Sequence, residues 1–229
     1  LGRHSGYSTP FEVKIPDENI NDGENTIVLS VSNQRLCGSG GEPVSGLTSR
    51  AANECTGGVT GGVEIRTYKS PLTDAAVLVS DDLKTVTVRT ECLGAAALSW
   101  SVCDGTRTIK SAAADGDFAF SADGLEYWSP ENPKLYTLKI KCGDAVLERS
   151  FGVRRLAADG TRLLLNGRKY FLRGACEHCC YPDTVHPNHD KAHYRRVIKK
   201  LKSLGFNHIR FHTYIPEEEY MQAADELGM

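Results

Sequence analysis

The chain contains 229 residues, 40% of them hydrophobic and 24% charged, so it can bury a core and is not a disordered segment. Its 27 Lys and Arg residues are balanced by 29 Asp and Glu residues, which excludes the basic surface of a general nucleic-acid-binding or membrane-surface protein. No hydrophobic stretch approaches the roughly 18 residues that a membrane span requires, so the sequence does not predict an integral membrane protein.

The cysteines are spread along the chain without regular spacing. Their positions are 37, 55, 92, 103, 142, 176, 179 and 180. Disulfide frameworks are typical of secreted chains much shorter than this one, so we expect most of these cysteines to be free thiols. Free thiols favour a reducing compartment, and the cysteine usage therefore predicts a cytoplasmic location.

The first 155 residues predict β-structure. Hydrophobic and polar residues alternate over Phe11–Ile15 and Ile27–Val31, and a loop rich in Gly, Ser and Thr follows at 37–62. Further strands are predicted at Val63–Ile65, Ala76–Val79, Thr85–Arg89, Leu98–Val102, Leu135–Lys141 and Glu148–Val153. Asp-Gly turns separate several of these segments, and the spacing is typical of an antiparallel sandwich.

Beyond residue 155 the pattern changes to strands that alternate with helices. Turns at Asp159-Gly160 and Asn166-Gly167 flank a predicted strand at Arg162–Leu165, and the next strand is predicted at Lys169–Arg173. A helix that ends at Gly205 follows. Its hydrophobic face is predicted to contain Tyr194, Val197, Ile198, Leu201 and Leu204.

A strand at Phe206–Phe211 and a second helix that opens at Pro216 complete the alternation. This second helix is predicted to have a hydrophobic stripe and a glycine cap, formed by Met221, Ala224, Leu227 and Gly228. Strand, helix, strand and helix at this spacing indicate the start of a parallel α/β array. A complete (β/α)₈ barrel needs about 200 residues or more, so we expect the chain to be an internal fragment of a larger protein.

Six of the seven histidines lie between positions 178 and 212. Alternation on the strand at 206–211 brings His208, Arg210 and His212 to one side. His178 follows the preceding strand of the array. Because α/β barrels build their sites at the carboxyl ends of the strands, we expect His178, Arg210 and His212 to meet at one rim.

Structural roles are the alternative for these residues: Arg210 as an ion-pair partner, and the histidines as capping or packing groups. His186, His189 and His193 are interpreted as surface residues, and the run Glu217–Glu219 as a solvated first helical turn. The run Cys176–Cys180 contains potential zinc ligands, but adjacent cysteines cannot easily share one tetrahedral ion and no second cysteine pair follows, so no metal site is predicted.

Residues 127–138, Tyr-Trp-Ser-Pro-Glu-Asn-Pro-Lys-Leu-Tyr-Thr-Leu, resemble the end of the middle sandwich domain of glycoside hydrolase family 2, which includes β-galactosidases, β-glucuronidases and β-mannosidases. The following segments are similar to later motifs of that family, in its order: Phe151–Arg154, Leu165–Arg168, Phe171–Gly174, Gly205–Arg210 and Ala224–Gly228. Upstream, three segments resemble its sugar-binding jelly roll, namely Gly6–Phe11, Asp22–Thr26 and Gly61–Val63.

The resemblance implies a multidomain, mainly β protein with three parts. Residues 1–70 would be the C-terminal part of a jelly-roll sugar-binding domain, residues 71–156 an immunoglobulin-like β-sandwich, and residues 157–229 the first βα units of a truncated (β/α)₈ TIM barrel. In that family a histidine after the first barrel strand and an arginine and a histidine after the second line the sugar subsite. These roles would fall on His178, Arg210 and His212.

Two segments depart from the family pattern. Cys179-Cys180-Tyr181 follows the first histidine, where the family more often has histidine or acidic residues. After Arg210 the chain reads Phe211-His212-Thr213-Tyr214 instead of the commoner Ser-His-Tyr-Pro, which shifts the histidine by one position. These departures indicate a divergent subfamily, and they leave its sugar preference open.

The resemblance implies retaining hydrolysis of terminal β-glycosides of a β-galactoside-like kind, with no cofactor. The two catalytic glutamates would follow later barrel strands, beyond Met229, so the chain alone is predicted to be inactive. The expected partner is a carbohydrate substrate, and the oligomeric state is open. Alternatives are a non-catalytic carbohydrate-binding or adhesion protein, which would not need the strand–helix tail, and a zinc-stabilised interaction module.

Overall fold

Alternating hydrophobic residues between positions 72 and 151 fold into two antiparallel sheets in the computed structural model. The structure describes residues 1–4, 10–31, 58–59, 61–67, 70–178, 183–184, 186–212 and 214–229. The long loop predicted at 37–62 lies almost entirely outside these residues, as do Cys179 and Cys180.

The two sheets contain seven strands. Their bounds are β1 Leu72–Val79, β2 Thr85–Cys92, β3 Leu98–Asp104, β4 Arg107–Ala114, β5 Phe118–Ser121, β6 Tyr136–Cys142 and β7 Ala145–Phe151. One sheet has the strand order β1-β2-β5, and the other has the order β4-β3-β6-β7. All neighbours are antiparallel, as the sequence predicted. We call this unit the sandwich.

One hydrophobic core lies between the two sheets. The inward residues follow the period of two that a strand imposes: Val86 and Val88 on β2 and Leu138 and Ile140 on β6 are completely buried. The Trp100 ring on β3 stacks on Phe118 and Phe120 of the other sheet, at centroid distances of 5.1 and 5.0 Å. The sequence missed β4 and β5, because β4 is mostly exposed and lacks clear alternation.

The strands predicted at Phe11–Ile15, Ile27–Val31 and Val63–Ile65 are wrong. In the described part of the chain before Leu72, the only regular element is a short 3₁₀ helix at Asp17–Asn19. Many hydrophobic side chains of this region are exposed, and Val28 is 85% accessible. Hydrophobic alternation yields a strand only where a neighbouring strand satisfies the backbone, and the described residues supply none here.

A three-stranded meander follows the sandwich. It contains β8 (Leu156–Asp159), β9 (Arg162–Leu165) and β10 (Arg168–Lys169) in the order β10-β9-β8. Asn166 and Gly167 both have positive φ, 51° and 76°, as a tight hairpin turn requires. The hairpin turns predicted on either side of β9 are therefore confirmed.

The last part of the chain is a strand–helix–strand–helix unit, which we call the α/β segment. Its elements are β11 Gly174–Glu177, α1 Lys191–Ser203, β12 His208–Phe211 and α2 Glu218–Leu227. The two strands pair in parallel. The strand predicted at Lys169–Arg173 is misplaced, because Tyr170 still donates to Leu163 in the meander and the parallel strand begins only at Gly174.

A second, smaller core forms where both helices pack against β12. Tyr194, Ile198, Tyr220 and Ala223 are buried there. Two predicted members of the hydrophobic faces are exposed, since Leu204 is 62% and Met221 49% accessible.

The helix ends agree with the predicted signals. Gly205 follows α1 with φ of +87°, and Gly228 caps α2 with φ of +74°. In the described residues no helix is long and apolar enough to cross a membrane.

Candidate functional site

Parallel pairing of β11 with β12 sets the register of the candidate site. Cys176 lies opposite Arg210, and Glu177 lies opposite Phe211. The main-chain N of His212 donates to Glu177 O over 2.8 Å, which extends the pairing one residue beyond the strands. His178 and His212 therefore both emerge at the carboxyl end of the strand pair, where α/β proteins place their sites.

Alternation along β12 separates a packed side from an open side. Ile209 and Phe211 contact the core formed by the two helices, whereas Arg210 between them is exposed. A guanidinium on the packed side would have to lose its hydration, so this alternation explains why the polar residues share the other side. The predicted separation of polar and hydrophobic residues on this strand is confirmed.

The start of the strand pair is fixed by Asn207, a buried polar residue that sequence reasoning did not single out. Its Oδ1 accepts from Arg173 N over 2.8 Å, and its Nδ2 donates to Phe171 O over 3.0 Å. Its main-chain N also donates to Arg173 O over 3.0 Å. Asn207 thus imitates a strand neighbour for residues 171–173, and the sequence signal for this role is a polar residue at the start of an otherwise hydrophobic strand side.

The three residues predicted to meet at one rim are in contact. Arg210 Nη1 lies 2.9 Å from His212 Nδ1, and the His178 and His212 rings face each other at a centroid distance of 4.6 Å with an interplanar angle of 33°. Arg210 Nη1 also donates to Cys176 Sγ over 3.5 Å. Cys176 is a member of this cluster that sequence reasoning considered only as a zinc ligand.

The cluster combines one permanent cation with two imidazoles at an open surface. His178 and Arg210 are exposed and His212 is half-buried. Guanidinium and imidazole N–H groups donate hydrogen bonds to hydroxyl or carboxylate oxygens, so the cluster suits a ligand rich in oxygen atoms. We call Cys176, His178, Arg210 and His212 the rim cluster.

His186, His189 and His193 lie outside the rim cluster. His186 Nδ1 contacts the carbonyl of Pro187 at 2.8 Å, His193 meets Tyr194 edge to face, and His189 lies 3.5 Å from Glu219.

The interpretation of Glu217–Glu219 as a solvated turn needs correction. Glu217 Oε2 accepts a hydrogen bond from the buried Tyr194 hydroxyl over 2.8 Å. Burial, together with this contact to the carboxylate, raises the pKa of Tyr194. Within the described residues no group of three or more His, Cys, Asp or Glu side chains is arranged to hold a metal ion.

The motifs that carry the family resemblance converge on Trp128. Its indole Nε1 donates to Asp225 O over 2.8 Å, and its main-chain N donates to Val153 O over 2.9 Å. Its carbonyl accepts from Asn166 Nδ2 over 2.9 Å, and the Arg154 guanidinium lies 4.7 Å above the indole ring. The joint between the sandwich and the α/β segment is therefore built from these motif residues.

Comparison with known proteins finds similarity to β-galactosidases and β-glucuronidases. No protein-family model matches the chain. The β-galactosidase of Staphylococcus xylosus is 27% identical over 120 residues, which are 52% of this chain and 12% of that protein. The β-galactosidase of Arthrobacter sp. (strain B7) is 32% identical over 108 residues, 47% of this chain and 10% of the relative.

A solved structure of a glycosidase is also similar to this chain. The β-glucuronidase of Faecalibacterium prausnitzii superposes with a TM-score of 0.64 at 25% identity, over 70% of this chain and 27% of that one. The chain spans about a tenth of the length of the two curated relatives. These similarities to β-galactosidases and to a β-glucuronidase bear out the resemblance to glycoside hydrolase family 2 that the sequence motifs predicted.

Proposed function

We propose that the chain is part of a retaining β-glycosidase that hydrolyses terminal β-glycosides of a β-galactoside-like kind, and that His178, Arg210 and His212 line its sugar subsite. The observation that carries this proposal is the contact among these three side chains at the carboxyl ends of two parallel strands. The names of the two curated relatives support the β-galactoside preference.

The proposed enzyme has three kinds of domain in this chain. The strand order β1-β2-β5 facing β4-β3-β6-β7 supports an immunoglobulin-like sandwich over residues 71–156. The parallel pair β11-β12 with its intervening helix supports the first βα units of a (β/α)₈ barrel within residues 157–229. Residues 1–70 are assigned to the end of a jelly-roll domain on the sequence motifs alone.

In the proposed mechanism the rim cluster binds and orients the sugar. Its N–H donors hold the hydroxyl groups, and these hydrogen bonds strengthen as the oxocarbenium-like transition state develops. A retaining mechanism also needs an acid and a nucleophile, two carboxyl groups about 5 Å apart. We assign them to barrel strands in a part of the longer protein that this chain does not match, since the chain spans about a tenth of its curated relatives, and the 229-residue chain alone is therefore proposed to be inactive.

The test is the substitution Arg210→Ala in the complete enzyme. We expect kcat/KM for a nitrophenyl β-galactoside to fall at least about tenfold, equivalent to roughly 1.4 kcal/mol of transition-state stabilisation. Loss of a charged donor that contacts the sugar more strongly in the transition state gives this result. A parallel assay with the nitrophenyl β-glucuronide tests the sugar preference, and greater activity on the glucuronide would overturn it.

The matched control is Arg196→Ala, because Arg196 is an exposed arginine on α1 outside the rim cluster. Its kcat/KM should equal that of the wild-type enzyme. Equal activity of wild type and Arg210→Ala would instead show that Arg210 is structural. Turnover of an aryl glycoside by the purified 229-residue chain, above a mock purification, would contradict the assignment of the carboxylates.

A further inference from the structure

One nitrogen of Arg210 has two acceptors in the rim cluster. Nη1 lies 3.5 Å from Cys176 Sγ on the neighbouring strand and 2.9 Å from His212 Nδ1 on its own strand. A guanidinium nitrogen of this kind carries two N–H bonds, so the thiol and the imidazole can each accept one. The first contact follows from the register of Cys176 opposite Arg210.

The second contact determines the protonation of the His212 ring. Arginine has no acceptor and does not lose its proton in proteins, so Arg210 must be the donor and His212 Nδ1 the acceptor. A ring nitrogen that accepts a hydrogen bond carries no proton. His212 is therefore neutral while this contact exists, and its ring proton is on Nε2, the nitrogen that points away from Arg210.

This arrangement depends on one departure of the chain from the family pattern, the position of His212. His212 follows Arg210 by two residues, so both side chains lie on the same side of an extended backbone and can touch. Cys176 supplies a weak, soft acceptor from the neighbouring strand. One acceptor alone would leave Nη1 free to turn away, whereas two acceptors on separate strands limit its orientation.

We propose that Cys176 is a positioning residue which, together with His212, holds the guanidinium of Arg210 in place, and that Arg210 keeps His212 neutral with its proton on Nε2. In the subsite that the proposed function assigns, on which this inference rests, His212 then offers an N–H donor to a sugar oxygen. Cys176 acts through Arg210 and is not assigned a contact with the sugar.

The test is the ¹⁵N NMR spectrum of the histidine side chains of the 229-residue chain at neutral pH. We expect His212 to show an unprotonated, hydrogen-bonded Nδ1 and a protonated Nε2. In Arg210→Met the Nδ1 signal should move toward the position of an unprotonated nitrogen without a donor. A proton on Nδ1 of the wild type, or an Nδ1 signal that Arg210→Met leaves unchanged, would overturn the proposal.

Cysteine variants test the positioning role separately. Cys176→Ala should shift the Nδ1 signal of His212, and Cys176→Ser should restore it, because a hydroxyl oxygen can also accept from Nη1. The matched control is Cys92→Ala, a free, partly buried cysteine in the sandwich, which should leave His212 unchanged. A shift of equal size in the Ala and Ser variants of Cys176 would indicate a packing role and contradict positioning by hydrogen bonding.

Kinetics of the complete enzyme link the positioning role to the reaction. Cys176→Ala should lower kcat/KM about three- to tenfold, the effect of one modest hydrogen bond, and Cys176→Ser should recover most of the loss. The proposed glycosidase function and the proposed positioning role can be disproved separately. If the enzyme lacks glycosidase activity, the NMR result still stands for the rim cluster, and if only the NMR expectation fails, the effect of Arg210→Ala still supports the sugar subsite.

Discussion

Gly152 shows how one missing side chain allows the sandwich to meet the α/β segment. A Cβ at this position would lie 2.8 Å from Trp128 Cβ and 3.0 Å from its Cδ1. Trp128 cannot easily move away, because it is buried and its indole N–H donates a hydrogen bond to the Asp225 carbonyl. The glycine of this family-like motif is therefore required by close approach and not by backbone conformation.

We predict that Gly152→Ala destabilises the chain by about 1–3 kcal/mol, because the added methyl group forces the indole out of its packed position. Urea unfolding followed by circular dichroism would measure the loss. Gly62→Ala is the matched control, since the space around Gly62 is open and its backbone tolerates a side chain. Equal stability of Gly152→Ala and wild type would show that Trp128 can shift without cost.

The members of the candidate site were predictable only where a local pattern placed them. Alternation on one strand assigned Arg210 and His212 to the same side, and the position of His178 after a strand assigned it to the same edge. Cys176 escaped prediction because its contact with Arg210 depends on the register of two strands 34 positions apart, which alternation on either strand does not encode.

Helices α1 and α2 are joined by one carboxylate that accepts from two cations. Glu226 on α2 contacts Lys191 Nζ at 3.0 Å and Arg195 Nε at 2.8 Å, and both cations belong to α1. Partial burial raises the pKa of Glu226, but the hydrogen bonds from Lys191 and Arg195 outweigh it, so the pKa lies below its ordinary value of 4.5. The folded state thus favours the ionised carboxylate.

Glu226→Gln is expected to lower the stability of the helix pair by about 1 kcal/mol at pH 7. The lowered pKa means that this stabilisation is complete above the ordinary pKa and is lost as the pH falls through the folded-state pKa. The stability difference between variant and wild type should therefore shrink as the pH falls below 4.5 and vanish once the pH is below the folded-state pKa.

Urea titrations at several pH values would measure the difference. The control Glu91→Gln removes an exposed carboxylate from β2 and should have no effect at any pH. A difference for Glu226→Gln that does not change with pH would mean that packing, not charge, accounts for it.

The sequence predicted where helices and hairpins end better than it predicted which strands pair with each other. The glycine caps of both helices and the Asn166-Gly167 hairpin require backbone conformations that few other residues adopt. A short stretch of sequence is therefore enough to predict them. The strand predicted at Phe11–Ile15 has a correct local pattern but no neighbouring strand among the described residues. Strand formation depends on such distant partners, and this explains most of the errors.

Lys202 connects the sandwich to the end of α2 through three carbonyl groups. Its ammonium on α1 donates to Pro130 O of the sandwich over 2.7 Å, and also to Leu227 O and to Gly228 O over 3.0 Å at the end of α2. Burial lowers the pKa of Lys202. A cation at the carboxyl end of a helix satisfies orphan carbonyls and complements the helix dipole, so Lys202 stabilises α2 and the joint together.

We predict that Lys202→Met uncouples the α/β segment from the sandwich, because three carbonyls lose a charged donor at once. Hydrogen exchange should accelerate at least about tenfold at the amides of α1 and α2, which corresponds to a loss of about 1.4 kcal/mol of local stability. Exchange in β3 and β6 should remain unchanged. Lys200→Met is the matched control, since Lys200 is exposed on the same helix. Uniform acceleration in both units would contradict a role confined to the joint.

The chain has two tryptophans, and the structure places them in separate environments. Trp100 lies among aromatic rings in the sandwich core, whereas Trp128 lies at the joint beneath the Arg154 guanidinium. Their fluorescence should therefore report on two different events: Trp100 on melting of the sandwich, and Trp128 on separation of the two units. Trp100→Phe and Trp128→Phe would each leave a single intrinsic fluorescence probe. The order of sandwich unfolding and separation of the two units can then be followed without an added dye.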